Sequence, residues 1–427
     1  MTEETLPEVG ASSGLPPWVV PAGIALVAFA FRIVLGHEFP DFGGDAPGYT
    51  HIGLNLASGH GYSLARHAPY LATDIRPPGY PALLGLAFLF NTTHWSVVVL
   101  NAALGAVATF LVWLIADGLH LTRSRALWAT WIAAFFLSTA SIAGSAIAEN
   151  LSVPAVLALV YAVLIRPRRS RLMLFLAGSA LAWVASLTRD ELVVFVAIVA
   201  VLAGRRANLK VLGTTALVIC FLIGSGAWVL RNQVQVHRTE YVDSVMTDQV
   251  ITAAINGSLT SPIYVEGRNL TAQPTISSTQ RSAYRHQVQV YVSRQLKRHF
   301  EAFVENKVEY LVYSVFPYPI FSQTYGKHSG SVRLLWYPVI LAEYIFAVRT
   351  AIQWWKSDRR RDVVSVALFP VFILVVDLAL DPQSRFLLPA NLLLLPFAVE
   401  GVYVWIGNWA AAVAKRWPRR SHAGSTG

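Results

Sequence analysis

Apolar residues along this chain gather into long blocks separated by short polar stretches. The hydrocarbon core of a bilayer is crossed by roughly 20 helical residues. Blocks of about that length stand near 17–36, 95–117, 125–143, 150–165, 172–188, 191–203, 209–230, 333–354, 362–380 and 386–409. The 191–203 block is short, which predicts a tilted or extended helix. A further run, 78–91, is too short for a comfortable span and predicts an interfacial or re-entrant helix. Of the 427 residues, 55% are hydrophobic and 14% are charged. Soluble domains carry roughly 25% charged residues, so this composition excludes an ordinary water-soluble enzyme and a disordered chain. The predicted fold class is all-α, a polytopic membrane protein of about ten transmembrane helices with interfacial helices in the first outer loop and one large outer loop. The single cysteine, Cys220, lies inside an apolar block and leaves no intramolecular disulfide.

Net charge is +10, but its placement matters more than its total. Five basic clusters (Arg123 with Arg125; Arg166 to Arg171; Arg205 to Lys210; Lys356 to Arg361; Lys415 to Arg420) hold 17 of the 34 Lys and Arg residues. The positive-inside rule assigns all five to the cytoplasm, so the charge implies membrane lipids as partners and no nucleic acid. Both termini then lie inside, and loops 37–94, 144–149, 189–190, 231–332 and 381–385 lie outside. The predicted organisation is a disordered cytoplasmic tail over 1–16, an N-terminal transmembrane catalytic core over 17–230, an extracytoplasmic loop domain over 231–332, C-terminal helices over 333–409 and a cytoplasmic tail over 410–427. Block 17–36 is too long and lacks a small-residue cleavage site, so it reads as an uncleaved helix rather than a signal peptide.

Carboxylates and arginines collect where outer loops meet helix ends: Asp41, Asp45, Asp74, Glu149, Asp190, Glu191 and Asp381, accompanied by Arg76, Arg189 and Arg385. Ionisable residues near membrane depth are costly and tend to face a water-filled cavity, which makes this set a candidate site on the outer face. Residues Ala46 to Ala57 place Tyr49, Ile52, Leu54 and Leu56 as an amphipathic interfacial helix would. Asp45 falls at its N-cap, where a carboxylate can bond the free amides of the first turn. It reads either as that cap or as a general base fixed by it. Arg76 precedes Pro77-Pro78-Gly79-Tyr80, a helix start, and could meet a lipid-borne phosphate or an ordinary anionic headgroup. His37, His51, His60 and His67 lack metal-ligand spacing, and no Walker loop, dinucleotide fingerprint or Gly-x-Ser-x-Gly elbow appears.

The run Gly44-Asp45-Ala46-Pro47-Gly48-Tyr49, then Gly59-His60-Gly61-Tyr62, then Arg76-Pro77-Pro78-Gly79-Tyr80, resembles the first outer loop of GT-C membrane glycosyltransferases, a group that includes protein O-mannosyltransferases and lipid A aminoarabinose transferases. Ala148-Glu149-Asn150, Leu187 to Glu191, Trp228 to Asn232 and Arg385 to Pro389 are similar in order and spacing. The resemblance implies inverting transfer of a sugar from a polyprenyl-phosphate donor to an acceptor hydroxyl of a lipid, glycan or protein. The active site would face the extracytoplasmic side of the plasma (inner) membrane. It implies Asp45 as the catalytic base and Arg76, Arg189 and Arg385 as donor phosphate ligands. Asp41, Glu149, Tyr49 and Tyr80 would support the substrate or a divalent metal ion. One departure stands out: Ala46 occupies a position that is acidic in many relatives, so a metal would have to lean on Asp41 or Glu149. The alternative function is a transporter or flippase for a lipid-linked or small polar substrate, on the strength of Arg32, Glu343 and Asp377 inside predicted spans.

Overall fold

The computed structural model describes residues 15–166, 170–237, 239–242, 264–265, 268–269, 290, 293–315, 329–379 and 384–416. Residues 1–14 and 417–427 of the predicted tails, Arg168, Arg169, Asp381 and most of the 231–332 loop lie outside the described residues, whereas 410–416, expected as tail, continue the last helix to Arg416. The fold is all-α and polytopic. In chain order the helices are α1 (Val19–Glu38), α2 (Ala46–Ala57), α3 (Gly79–Phe88), α4 (His94–Gly118), α5 (Arg123–Ala134), α6 (Leu137–Ala140), α7 (Glu149–Leu159), α8 (Arg171–Ser186), α9 (Leu192–Arg206), α10 (Val211–Gln235), α11 (Phe300–Val315), α12 (Ser329–Trp355), α13 (Arg360–Ala379) and α14 (Leu388–Arg416). One antiparallel pair, Tyr264–Val265 with Arg268–Asn269, is the exception to the helical pattern.

Helices occupy all ten predicted segments, and α2 has the expected bounds. Five of the described helices are long and apolar enough to cross a membrane, or six when the bent pair α5–α6 counts as one span. The 78–91 run forms the short helix α3, consistent with a segment that does not cross. Helix α7 is buried on every side, as expected for a helix at the centre of a bundle. Around it, α1 packs on α4, α8 and α9 on α10, and α12 on α14. Leu212, Leu230 and Val234 of α10 point outward, the apolar exterior a lipid-facing helix requires.

The predicted span 125–143 is broken: α5 and the segment beginning at α6 meet at 48°. A break frees helical carbonyls, which are expensive to leave unbonded in an apolar interior. Arg32 of α1 supplies their donors. Its Nη1 bonds Ala134 O at 3.0 Å, and its Nη2 bonds Ala133 O and Thr139 Oγ1, each at 3.3 Å. The guanidinium sits at the negative end of the α5 dipole, 1% exposed, so the charge in the first span serves the helix break. Glu343 is likewise engaged locally, accepting from Asn391 Nδ2 across α12 and α14.

Arg32→Leu would strip these carbonyls of their donors, at a cost of about 3 kcal/mol for the buried groups left unsatisfied. It should lower the unfolding temperature of the protein in detergent by several degrees. Gly105→Ala should do so too, because a Cβ there would overlap the Arg32 side chain. Unchanged melting in both variants would show that the break does not depend on Arg32.

Candidate functional site

Three structural devices bring the candidate residues together. The first fixes Arg76. Asn55 Nδ2 bonds Ser63 O and Ala65 O, folding the chain back after α2, and Tyr62 OH donates to Arg76 O at 2.8 Å. Gly79 N then donates to Leu187 O at 2.6 Å. A Cβ at Gly79 would lie 2.8 Å from that oxygen, so the approach of α3 to the end of α8 requires glycine. Arg76 is thereby fixed beside the segment that carries Arg189.

The second device delivers Glu149. Tyr80 OH donates to Asn101 Oδ1 at 2.8 Å, and Asn101 Nδ2 bonds Ala143 O and Ser145 O. Asn150 Nδ2 bonds Ile142 O and Ser145 O. These amides satisfy the irregular backbone before α7 and place Glu149 at its first residue, where the helix dipole favours a carboxylate. The third device is the 3₁₀ turn Ser384–Leu387 ahead of α14, which carries Arg385 inward.

The result is a chain of alternating charge. Asp45 Oδ1 accepts from Arg76 Nη2 at 2.6 Å, and Asp45 Oδ2 accepts from Arg385 Nη2 at 2.6 Å. Arg385 Nε lies 3.1 Å from Glu149 Oε1, and Arg189 Nη1 bonds that same oxygen. Arg189 Nε and Nη2 both reach Glu191 Oε1 at 2.7 Å, and its guanidinium stacks 3.7 Å over the Phe386 ring. The chain is graded in accessibility. Asp45 and Arg385 are each 24% exposed, whereas Glu149 is 2% exposed. The open end is Asp45 with Arg76 and Arg385; Glu149, Arg189 and Glu191 form the base behind it.

Burial would raise the Asp45 carboxyl, but the guanidinium groups of Arg76 and Arg385 outweigh it and hold the carboxyl well below the usual carboxylate range. Asp45 stands at the N-cap position of α2, as expected, but its side chain makes no cap bond. Pro47 has no N–H to offer, and the Gly48 amide is taken by the Asp45 carbonyl at 3.0 Å. Charged donors win the carboxylate.

Tyr49 lies under Arg76, 5.2 Å from guanidinium carbon to ring centre, and burial pushes its phenol up to about 12. Tyr80 is fully buried on Asn101, so it shapes the site from beneath rather than facing a substrate. Asp41 is not joined to the chain of charges among the described contacts; its carboxylate accepts from Gly43 N at 3.0 Å in the turn before α2. Glu191, one of the carboxylates expected at this face, and Phe386 of the Arg385 to Pro389 stretch together hold Arg189. The available signal was that Arg189 sits in a two-residue loop beside two acidic residues. The Trp228 to Asn232 stretch anchors the outer loop, with Trp228 Nε1 donating to Tyr241 O and Arg231 Nη1 to Thr73 O.

The described residues at this site do not fit a resident divalent cation. Among the described residues no three His, Cys, Asp or Glu side chains form a ligand set. Asp45 and Glu149 each already carry two guanidinium groups, which occupy the positions a cation would take.

With its carboxyl held low, Asp45 contributes to stability above the ordinary aspartate range, about pH 4, and that contribution is lost as pH falls below it. The melting-temperature deficit of Asp45→Asn should therefore be constant from pH 8 to 5 and shrink below about pH 4. A deficit that is absent at pH 7, or that grows in acid, would contradict the ion pairs. Tryptophan-fluorescence melts in detergent measure it.

No family model matches the chain, and no curated protein matches its sequence. Among solved structures it is similar to the apo oligosaccharyltransferase of Archaeoglobus fulgidus, at 10% sequence identity and a TM-score of 0.46. The match covers 93% of this chain and 52% of that one, so the chain spans about half the length of that protein. The likeness assigns no role to any residue.

Proposed function

We propose that the chain is a GT-C-type membrane glycosyltransferase. It moves a sugar, with inversion, from a polyprenyl-phosphate donor to an acceptor hydroxyl at the outer face of the plasma membrane. The observation that carries this reading is Asp45 held between Arg76 and Arg385 at the accessible end of a charge-balanced cluster. The three guanidinium groups and the three carboxylates they pair with (Asp45, Glu149, Glu191) cancel formally, while the neighbouring Asp190 carboxyl is pushed up to about 7 by desolvation and by Glu191. An incoming donor phosphodiester adds one negative charge, and on transfer the proton taken by Asp45 offsets the second negative charge that forms on the leaving phosphate. That is the direction of proton flow a general base requires.

The steps follow from charge. The acceptor oxygen attacks the anomeric carbon from the face opposite the phosphate, and its proton passes to an Asp45 oxygen. The bond from the anomeric carbon to the phosphate oxygen breaks, its electron pair leaving with the phosphate. Negative charge grows on that oxygen, where Arg76 and Arg385 stabilise it. Arg76 Nε is a buried donor with no partner among the described residues, so this guanidinium retains bonding capacity beyond Asp45. Arg189, with its fork already shared between Glu149 and Glu191, takes the part of a support that keeps Arg385 and Glu149 in place. The acceptor could be a lipid, a glycan or a protein; each offers the same nucleophilic hydroxyl.

Two measurements test the reading. Purified protein in lipid nanodiscs, screened against polyprenyl-phosphate sugars, should transfer sugar with chelator present. Asp45→Asn should lower the rate by roughly 10²–10⁴-fold, the usual contribution of a general base. Turnover by that variant at the wild-type rate would remove Asp45 from the chemistry. Orientation is tested separately in a Cys220→Ser background. Ser58→Cys should react with an impermeant thiol reagent added outside intact cells, and Ser357→Cys only after permeabilisation. The reverse pattern would place the site on the cytoplasmic face.

A further inference from the structure

The carboxylate that must accept a proton is, in this structure, unable to do so. Both Asp45 oxygens are occupied by guanidinium groups at 2.6 Å, on elements separated by 31 and 340 residues in sequence. Two cations hold a carboxylate in its ionised form and compete directly with any incoming hydroxyl for its lone pairs. The same two arginines are the groups a donor phosphate would need. Base and phosphate ligands are therefore bound to each other, and neither is available while the pairs persist.

We infer that Asp45 and the Arg76–Arg385 pair form an anion-exchange latch: a phosphate headgroup displaces the Asp45 carboxylate from the arginines, and the carboxylate later returns to displace the phosphate. This inference rests on the glycosyltransferase reading and adds an order to it. The donor enters first. Its phosphate takes over the bonds that the two guanidinium groups made to Asp45, whose proton affinity then returns toward that of an ordinary carboxylate, and only then is the base competent for the acceptor. After transfer the acceptor proton resides on Asp45. Its loss to water restores the carboxylate, which competes for Arg76 and Arg385 and helps expel the phosphate monoester.

The grading of exposure favours this exchange at one end of the cluster. Glu149 holds Arg385 Nε from the buried side, so the guanidinium keeps a fixed pivot while its Nη2 changes partner. Arg76 is backed by the Tyr49 ring in the same way. The arginines keep their places, and the mobile partner is an anion at the accessible face. An acceptor arriving before the donor finds no base.

The latch makes a prediction opposite to that of a purely structural Asp45. With the internal competitor neutralised, the arginines should bind phosphate more tightly even though transfer is lost. The probe is farnesyl phosphate, with inorganic phosphate as a tail-free arm, binding to the full-length protein in neutral-lipid nanodiscs. Asp45→Asn should bind both at least about tenfold more tightly than wild type, the scale of one charge competitor removed. Asp45→Glu, which keeps the competing anion, should bind within a few-fold of wild type. Asp45→Ala serves as a second neutral variant if the Asn protein does not fold, and melting curves verify the fold of each. Wild-type binding that is equalled or weakened in the neutral variants would overturn the latch and leave the transferase reading intact. Absence of farnesyl phosphate binding by every protein would overturn both.

Discussion

The ion pairs at Asp45 are the constraint on which the rest of this structure depends. Arg76 and Arg385 would repel each other if no carboxylate stood between them, and Arg385 and Arg189 are likewise held together by Glu149. These residues come from the loop before α3, the turn before α14, the start of α7 and the segment between α8 and α9. Packing of apolar helices can bring such elements near one another, but it has no directional preference. Alternating charge does, and breaking a buried pair typically costs 3–5 kcal/mol because its partner is left uncompensated. The ion pairs therefore fasten these helix ends to one another.

The same device appears deeper in the protein with a different purpose. Arg32 also donates to oxygens, but those belong to backbone carbonyls at the α5 break, and the group is sealed from solvent. One guanidinium stabilises a kink, whereas Arg76 and Arg385 remain partly exposed. Exposure, rather than residue type, separates Arg32 from the arginines proposed to bind phosphate.

Much of this was legible in the sequence because a bilayer leaves few alternatives: an apolar block of helical length must be a helix. The amphipathic spacing of Tyr49, Ile52 and Leu56 likewise gave α2 its bounds. The partners of Asp45 were harder to read. Arg385 lies 340 residues away, and no local pattern encodes such a pairing. The break after α5 has no Pro or Gly to mark it; its trace was Arg32, a charge in an apolar block that had to find acceptors. Asp45 took the N-cap position but not the expected cap bond, because rules for helix ends weigh peptide amides against water. Here two guanidinium groups were the competitors, and Pro47 had removed one of the amides.

The central claim is that Arg76 and Arg385 exchange one anion for another. An electron cryomicroscopy structure of the full-length protein with farnesyl phosphate bound tests it most directly. The account predicts phosphate oxygens bonded to both guanidinium groups and the Asp45 carboxylate turned free of them, with Glu149 still holding Arg385. Phosphate bound elsewhere, with both Asp45 pairs intact, would contradict it.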